Sequence, residues 1–305
     1  MFKNQIKHVA VIGTGVIGIS WATFYLKKGL RVNATDPAKD AEQRLRDGIF
    51  RHDPQLSQEG LRFEHRLEDA VRGVQFVQEN GPERIDIKQA LFRDLDRFTP
   101  PEVLLVSSSS GIVPTIFQAK AVHQGRILLG HPFNPPHLIP LVEVCGGEKT
   151  ADNAISQIIE FYRSLGKKPV HLRKEIKGHI ANRLQAALWQ EAFSLVENGV
   201  ASVEDIDTAI AEGPGLRWAL LGPFLNLHLS GGDGGIKYFL EHLGTPLESW
   251  MRDLGKVLIS PELIKLLTAG VNDLMANKSL PDLILKRDEM LTRLKELKHN
   301  NEEPG

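Results

Sequence analysis

Apolar positions in the first half of the chain follow two alternating rhythms. Short unbroken runs at 7–12, 31–35, 74–78, 103–107, 126–130 and 141–144 read as strands. Between them, 16–28, 38–50, 85–98 and 151–165 carry apolar residues at helical spacing, and 169–172 reads as extended. Strands that are apolar without alternation fit a sheet covered on both faces, so the pattern predicts a parallel sheet between helical layers. After about residue 175 the strand pattern stops. Residues 177–197 form a long helical pattern, Ser202-Val203-Glu204-Asp205 reads as a capped helix start, and 261–275 and 283–297 are helical. Residues 299–305 read as a loose end, and no internal repeat is visible. The expected fold class is α/β: a doubly wound sheet in 1–175, then an all-α domain in 176–305.

Composition narrows the function classes. With 42% hydrophobic and 25% charged residues among 305, the chain has a packed core rather than disorder. Lys+Arg total 37 against 38 Asp+Glu, so no basic excess attracts nucleic acid. The single Cys145 excludes an intrachain disulfide and the cysteine-rich zinc modules, and it fits a reducing compartment. The apolar run 8–26 behind Lys3 and Lys7 has the outline of a signal peptide. Gly13, Gly15, Gly18, Thr14, Ser20 and Thr23 break it up, however, and no later run suits a membrane span. The expectation is a cytoplasmic protein with neither membrane nor nucleic acid among its partners.

Gly13-Thr14-Gly15-Val16-Ile17-Gly18 lies between the first predicted strand and helix. In that context the glycines suit a tight turn, a backbone approach to a pyrophosphate and a close helix–strand contact, as in a Rossmann-type domain. The helix N-terminus offers free N–H groups and a partial positive charge to the phosphates. Asp36 ends the next predicted strand, eighteen residues after Gly18, where a carboxylate accepts ribose hydroxyls and repels a 2′-phosphate, favouring NAD over NADP.

A second cluster begins at Gly130-His131-Pro132-Phe133-Asn134-Pro135-Pro136-His137, a proline-stiffened loop at the end of a strand. The following strand brings Glu143 back beside His131, which makes a general base with an orienting carboxylate. The competing reading of His131 is a structural loop histidine. A metal set of His131, His137, Glu143 and Cys145 lacks the ligand spacing of known zinc motifs, so no metal is expected. Gly146-Gly147-Glu148-Lys149-Thr150 lacks the glycine spacing of a phosphate loop.

The glycine turn, Ser107-Ser108-Ser109-Ser110-Gly111, His131-Pro132-Phe133-Asn134, Leu141-Val142-Glu143-Val144 and Lys177-Gly178-His179-Ile180-Ala181-Asn182-Arg183 occur in that order. Together they resemble the 3-hydroxyacyl-CoA dehydrogenase superfamily over about the first 225 residues. The resemblance implies that Ser110 and Asn182 contact the reacting oxygen, that His131 is the base with Glu143 behind it, and that Asn134 belongs to the site. It also implies that Glu83 and Lys88 lie beside the nicotinamide half of NAD, and that the helical domain builds a homodimer.

Two departures bear on the substrate. Only 47 positions separate Asp36 from Glu83, too few for the long helical arm by which the acyl-CoA enzymes contact CoA. Arg44, Arg46 and Arg51 in that interval read as a solvated helix face. The segment Gly213-Pro214-Gly215-Leu216-Arg217-Trp218, ahead of Gly222-Pro223-Phe224, resembles the branch of lambda-crystallin/L-gulonate 3-dehydrogenase and the L-carnitine dehydrogenases. That resemblance implies a small free L-3-hydroxy acid, with gulonate-type and carnitine-type substrates level. Arg217 is the candidate clamp for the substrate carboxylate, against a plain salt bridge. Trp189 and Trp218 either face a trimethylammonium group or pack in a core. The alternatives are a CoA-thioester enzyme and a non-catalytic, crystallin-like NAD-binding protein. The Gly231-Gly232-Asp233-Gly234-Gly235 stretch reads as a mobile loop.

Overall fold

The computed structural model describes residues 6–300. Lys3 and 301–305, part of the expected loose end, lie outside them. The chain divides into two compact units, Met1–Arg183 and Leu184–Gly305.

The first unit is built on an eight-stranded sheet, β1 His8–Ile12, β2 Arg31–Thr35, β3 Leu61–Phe63, β4 Phe76–Glu79, β5 Leu104–Ser107, β6 Ile127–Pro132, β7 Leu141–Gly146 and β8 Lys168–Leu172. Its order is β3-β2-β1-β4-β5-β6-β7-β8. The first six strands are parallel, whereas β7 pairs antiparallel with β6 and β8 runs parallel to β7. The short 133–140 loop explains the reversal, because a parallel return needs a crossover of a dozen or more residues.

Strand side chains alternate between two cores. Val9, Val11, Leu104, Val106 and Leu128 face one side, against α1 (Val16–Lys27), α2 (Ala41–His52) and α6 (Asp152–Ser164). Ala10, Ile12, Leu105, Ile127 and Leu129 face the other, against α3 (Leu67–Ala70), α4 (Ile85–Phe98) and α5 (Pro114–Gln118). Trp21 stacks on both Tyr25 and Tyr162 in the first core. Both phenols donate to Gln78 Oε1, at 3.0 and 2.7 Å.

The second unit is helical. It comprises most of α7 (Ala181–Glu197), then α8 (Val203–Ala211), α9 (Pro214–Leu220), α10 (Pro223–Ser230), α11 (Gly235–Asp253), α12 (Pro261–Met275) and α13 (Leu280–Asn300). Ser202 caps α8 as its sequence suggests: its hydroxyl accepts from the Asp205 N–H, and the Asp205 carboxylate accepts from the Ser202 N–H.

Three expectations are corrected. Residues 177–180 form a turn rather than the start of α7, because Gly178 (φ 78°) and His179 (φ 52°) are left-handed and cannot continue an α-helix. The glycine-rich 231–235 stretch contains a single 3₁₀ turn, Gly232–Gly234, that leads directly into α11. His299 belongs to α13 rather than to a loose end.

Candidate active site

The candidate site is assembled at the carboxyl ends of β1, β2, β4, β5 and β6. The glycine turn leaves β1 with Gly13 at φ 86°, and an added Cβ there would lie 2.8 Å from the Asn80 carbonyl oxygen. At Gly18 a Cβ would lie 1.9 Å from the Gly13 carbonyl oxygen, so only glycine lets α1 start this close to the turn. At Gly15 a Cβ would meet nothing within 4 Å, and Gly15 is the N-cap of α1 without any side-chain cap. Asp36 follows β2 and accepts from the Thr14 and Ala38 N–H groups at 2.8 and 3.0 Å.

The serine loop after β5 hangs on Glu83. One oxygen of Glu83 accepts from Ser109 Oγ (2.6 Å) and from the Gly111 and Ile112 N–H groups (2.8 and 3.1 Å). Desolvation would raise the Glu83 carboxyl, but these donors and the nearby Lys88 outweigh it and hold it below its ordinary value. Lys88 sits beneath the loop, 1% exposed, with its ammonium on both oxygens of the fully buried Glu79 at 2.9 and 3.0 Å. Ser107 Oγ and the Gly81 N–H complete the Glu79 shell, each at 2.6 Å. Ser110 is exposed, and its carbonyl accepts from Asn182 Nδ2 at 3.3 Å.

His131 and Glu143 are directly opposed across β6 and β7. His131 Nδ1 lies 2.9 Å from Glu143 Oε2, and both residues are buried. A carboxylate oxygen accepts only, so Nδ1 carries a proton, and in the neutral ring Nε2 is the acceptor. Glu143 Oε1 accepts from the Ile180 and Ala181 N–H groups at 2.7 and 3.0 Å. Burial alone would raise this carboxyl; the His131 hydrogen bond and the two backbone N–H groups reverse that and hold it low. Lys167, on the turn before β8, donates to the Pro136 and Ile139 carbonyls and so stiffens the loop that carries the exposed Asn134.

Two family models cover most of the chain: the 3-hydroxyacyl-CoA dehydrogenase NAD binding domain over residues 8–176 and the 3-hydroxyacyl-CoA dehydrogenase C-terminal domain over 178–259. The chain belongs to the 3-hydroxyacyl-CoA dehydrogenase family. Within it, the L-carnitine dehydrogenase of Streptomyces coelicolor is 44% identical over 93% of this chain and 92% of its own. That of Bacillus cereus is 42% identical over 97% and 94%. A solved 5-formyl-3-hydroxy-2-methylpyridine 4-carboxylic acid 5-dehydrogenase, an NAD⁺-dependent dismutase, matches with TM-score 0.83 and 29% identity over 96% of this chain and 98% of that one.

As a member of this family the chain is an NAD-dependent oxidoreductase, and its first unit fits the cofactor on its own evidence. Open space stands over Gly15, the α1 N-terminus is uncapped, and Thr14 Oγ1 is the one buried side-chain oxygen or nitrogen without a partner among the described residues. These features leave donors and room for a pyrophosphate. The four residues of the metal alternative serve other bonds. His131 and Glu143 pair with each other, and His137 Nδ1 lies 2.7 Å from Ser20 Oγ. The buried Cys145 thiol donates to the Gly146 carbonyl at 3.4 Å. Arg217 and Trp218 lie on α9 and Trp189 on α7, all exposed; the Arg217 guanidinium has no ion pair among the described residues.

Glu79, Ser109, Lys167 and His179 were not singled out by sequence. Each follows a residue pattern too ordinary to flag.

Proposed function

We propose that this chain oxidises a small free L-3-hydroxy carboxylic acid to the 3-keto acid, with His131 as general base. The observation that carries the reading is the His131–Glu143 pair, in which hydrogen bonding to both carboxylate oxygens sets the tautomer, so that in the neutral ring Nε2 is the acceptor. His131 Nε2 takes the substrate hydroxyl proton, and Glu143 stabilises the resulting imidazolium. NAD, when bound, accepts the hydride from the carbinol carbon. Ser110 Oγ and the second amide hydrogen of Asn182 donate to the oxygen as it becomes a carbonyl. Asn134 borders the substrate, while Glu83 and, through Glu79, Lys88 hold the serine loop beside the nicotinamide.

A free acid is favoured over a CoA thioester by the 36–83 interval. Its one sizeable helix, α2, has 12 residues, and Arg44 and Arg46 pair with Asp40 and Glu42 along its own surface. The relatives' names favour a carnitine-type over a gulonate-type acid. In this reading Arg217 binds the carboxylate, and Trp189 and Trp218 offer faces to a quaternary ammonium. No helix among the described residues is long and apolar enough to cross a membrane, and a cytoplasmic homodimer joined through the helical unit completes the proposal.

The test is NADH formation by the purified protein with NAD and, separately, L-carnitine, L-gulonate, L-3-hydroxybutyrate and L-3-hydroxybutyryl-CoA. Turnover of L-carnitine, abolished in His131→Ala, is the expected result. Preference for the thioester refutes the free-acid reading, and silence with all four while NAD still binds returns the crystallin-like alternative.

A further inference from the structure

His179 is the only non-glycine residue with a left-handed backbone among the described residues, and it is 1% exposed. A left-handed backbone is uncommon outside glycine, and the buried ring must find partners there. Its Nε2 lies 3.1 Å from the Ser109 carbonyl oxygen, which only accepts, so Nε2 carries the proton. Its ring centroid lies 5.1 Å from that of His131, with the planes at 48°. The next two N–H groups in the chain, those of Ile180 and Ala181, both bind Glu143 Oε1. One four-residue turn thus touches the serine loop, the base and the carboxylate behind the base.

The charged groups facing His179 are His131, Glu143 and Glu83. Burial, then His131, lower the proton affinity of its ring, and the Ser109 carbonyl, Glu143 and Glu83 oppose them without prevailing. His131 can therefore accept a proton without a second cation beside it.

We propose that His179 is a positioning residue for the oxidation: its Nε2–H ring anchors the Ser109–Ser110 peptide and buttresses His131 against Glu143, fixing the base relative to the oxygen-binding loop. This rests on the reading of His131 as base, and the test separates the two.

The variants are His179→Phe, which keeps a ring but removes the N–H, and His179→Gln, which keeps a neutral N–H. His131→Ala is assayed beside them. His179→Phe is expected to lower kcat at least about tenfold with the NAD Kd held within about twofold, and His179→Gln to recover most of that loss. The acid limb of the kcat/KM profile keeps its midpoint in the Gln variant, because His179 is not the titrating group. A fully active Phe variant, or a Gln variant as impaired as Phe, overturns the proposal. If His131→Ala is itself fully active, the base assignment falls instead. Nitrogen NMR of histidine-labelled wild-type protein needs neither substrate nor variant, and it decides the case if the Phe variant fails to fold or no substrate turns over. An Nε2–H tautomer of His179 at pH 8, with Nδ1 unprotonated, supports the proposal, and the Nδ1–H tautomer refutes it.

Discussion

Glu143 shows how one carboxylate sets both a tautomer and a pH dependence. Two backbone N–H groups hold Oε1, so Oε2 is left for the His131 Nδ1–H. In Glu143→Gln the amide oxygen is drawn to the two backbone donors, and the NH₂ turns toward His131. Nδ1 must then accept, the ring proton moves to Nε2, and the base is switched off. We expect kcat to fall about 10²–10⁴-fold, the range general-base catalysis supplies, with NAD affinity unchanged by equilibrium titration. Asp96 provides the stability counterpart. It is buried, and its carboxylate accepts from Arg126 at 2.7 Å and from the Val122 and His123 N–H groups. Desolvation raises this carboxyl, but the donors prevail and hold it below its ordinary value. The folded chain therefore binds fewer protons than the unfolded one in that window. The stabilisation is complete above about pH 4, the ordinary aspartate value, and is lost as pH falls through the lowered one. Asp96→Asn leaves Arg126 buried and unpaired, so a loss of about 3–5 kcal/mol at neutral pH is expected from denaturant melts. The variant's melting temperature should also fall less steeply on acidification than the wild type's.

At the scale of elements, the glycine turn separates folding from binding within six residues. Gly18→Ala drives a methyl into the Gly13 carbonyl, whereas Gly15→Ala meets no protein atom. We expect Gly15→Ala to cost no more than about 1 kcal/mol of stability, the scale of an N-cap change. Its methyl would occupy the space over the helix N-terminus and weaken NAD binding at least about tenfold in the same preparation. Gly18→Ala should instead lose stability first, by more than about 2 kcal/mol in melts, because backbone rather than a flexible side chain must move. This turn was legible in sequence because strand, glycines, helix and Asp36 all point to one local geometry. The pairing of His131 with Glu143 was legible too, since a short loop between two apolar runs forces a return strand. What sequence reading missed depends on longer-range contacts. β3 has only three residues and is placed by pairing with β2. The 177–180 turn adjoins the helical pattern of α7, and its left-handed backbone becomes evident only once His179 meets Ser109 and His131. In α11 the interior Pro246 and the leading glycines argue against a helix that nevertheless spans 19 residues.

For the whole molecule the imbalance lies in the helical unit. Among its described residues only Val196 and Leu263 are buried apolar side chains, while Trp250, Phe224, Leu229, Leu258 and Ile259 are each more than half exposed. An isolated chain that shows water this much apolar surface has a reason to associate, since contiguous apolar patches on stable monomers rarely exceed a few hundred Å². A closed two-fold dimer is the commonest way to cover such a surface once on each copy. If association covers it, stability is linked to concentration. Each tenfold dilution near the dissociation constant then removes part of the stabilisation that dimerisation adds, and the melting temperature falls with it. Sedimentation at micromolar concentration is expected to give twice the 34.0 kDa chain mass. Replacing exposed Leu258 and Ile259 with Ser tests which face is involved. If these residues line the contact, the pair of substitutions shifts the species toward monomer while NAD binding by the first unit persists. A variant that stays dimeric moves the contact to another face, and a wild type that sediments as a monomer at every concentration removes the dimer from the proposal.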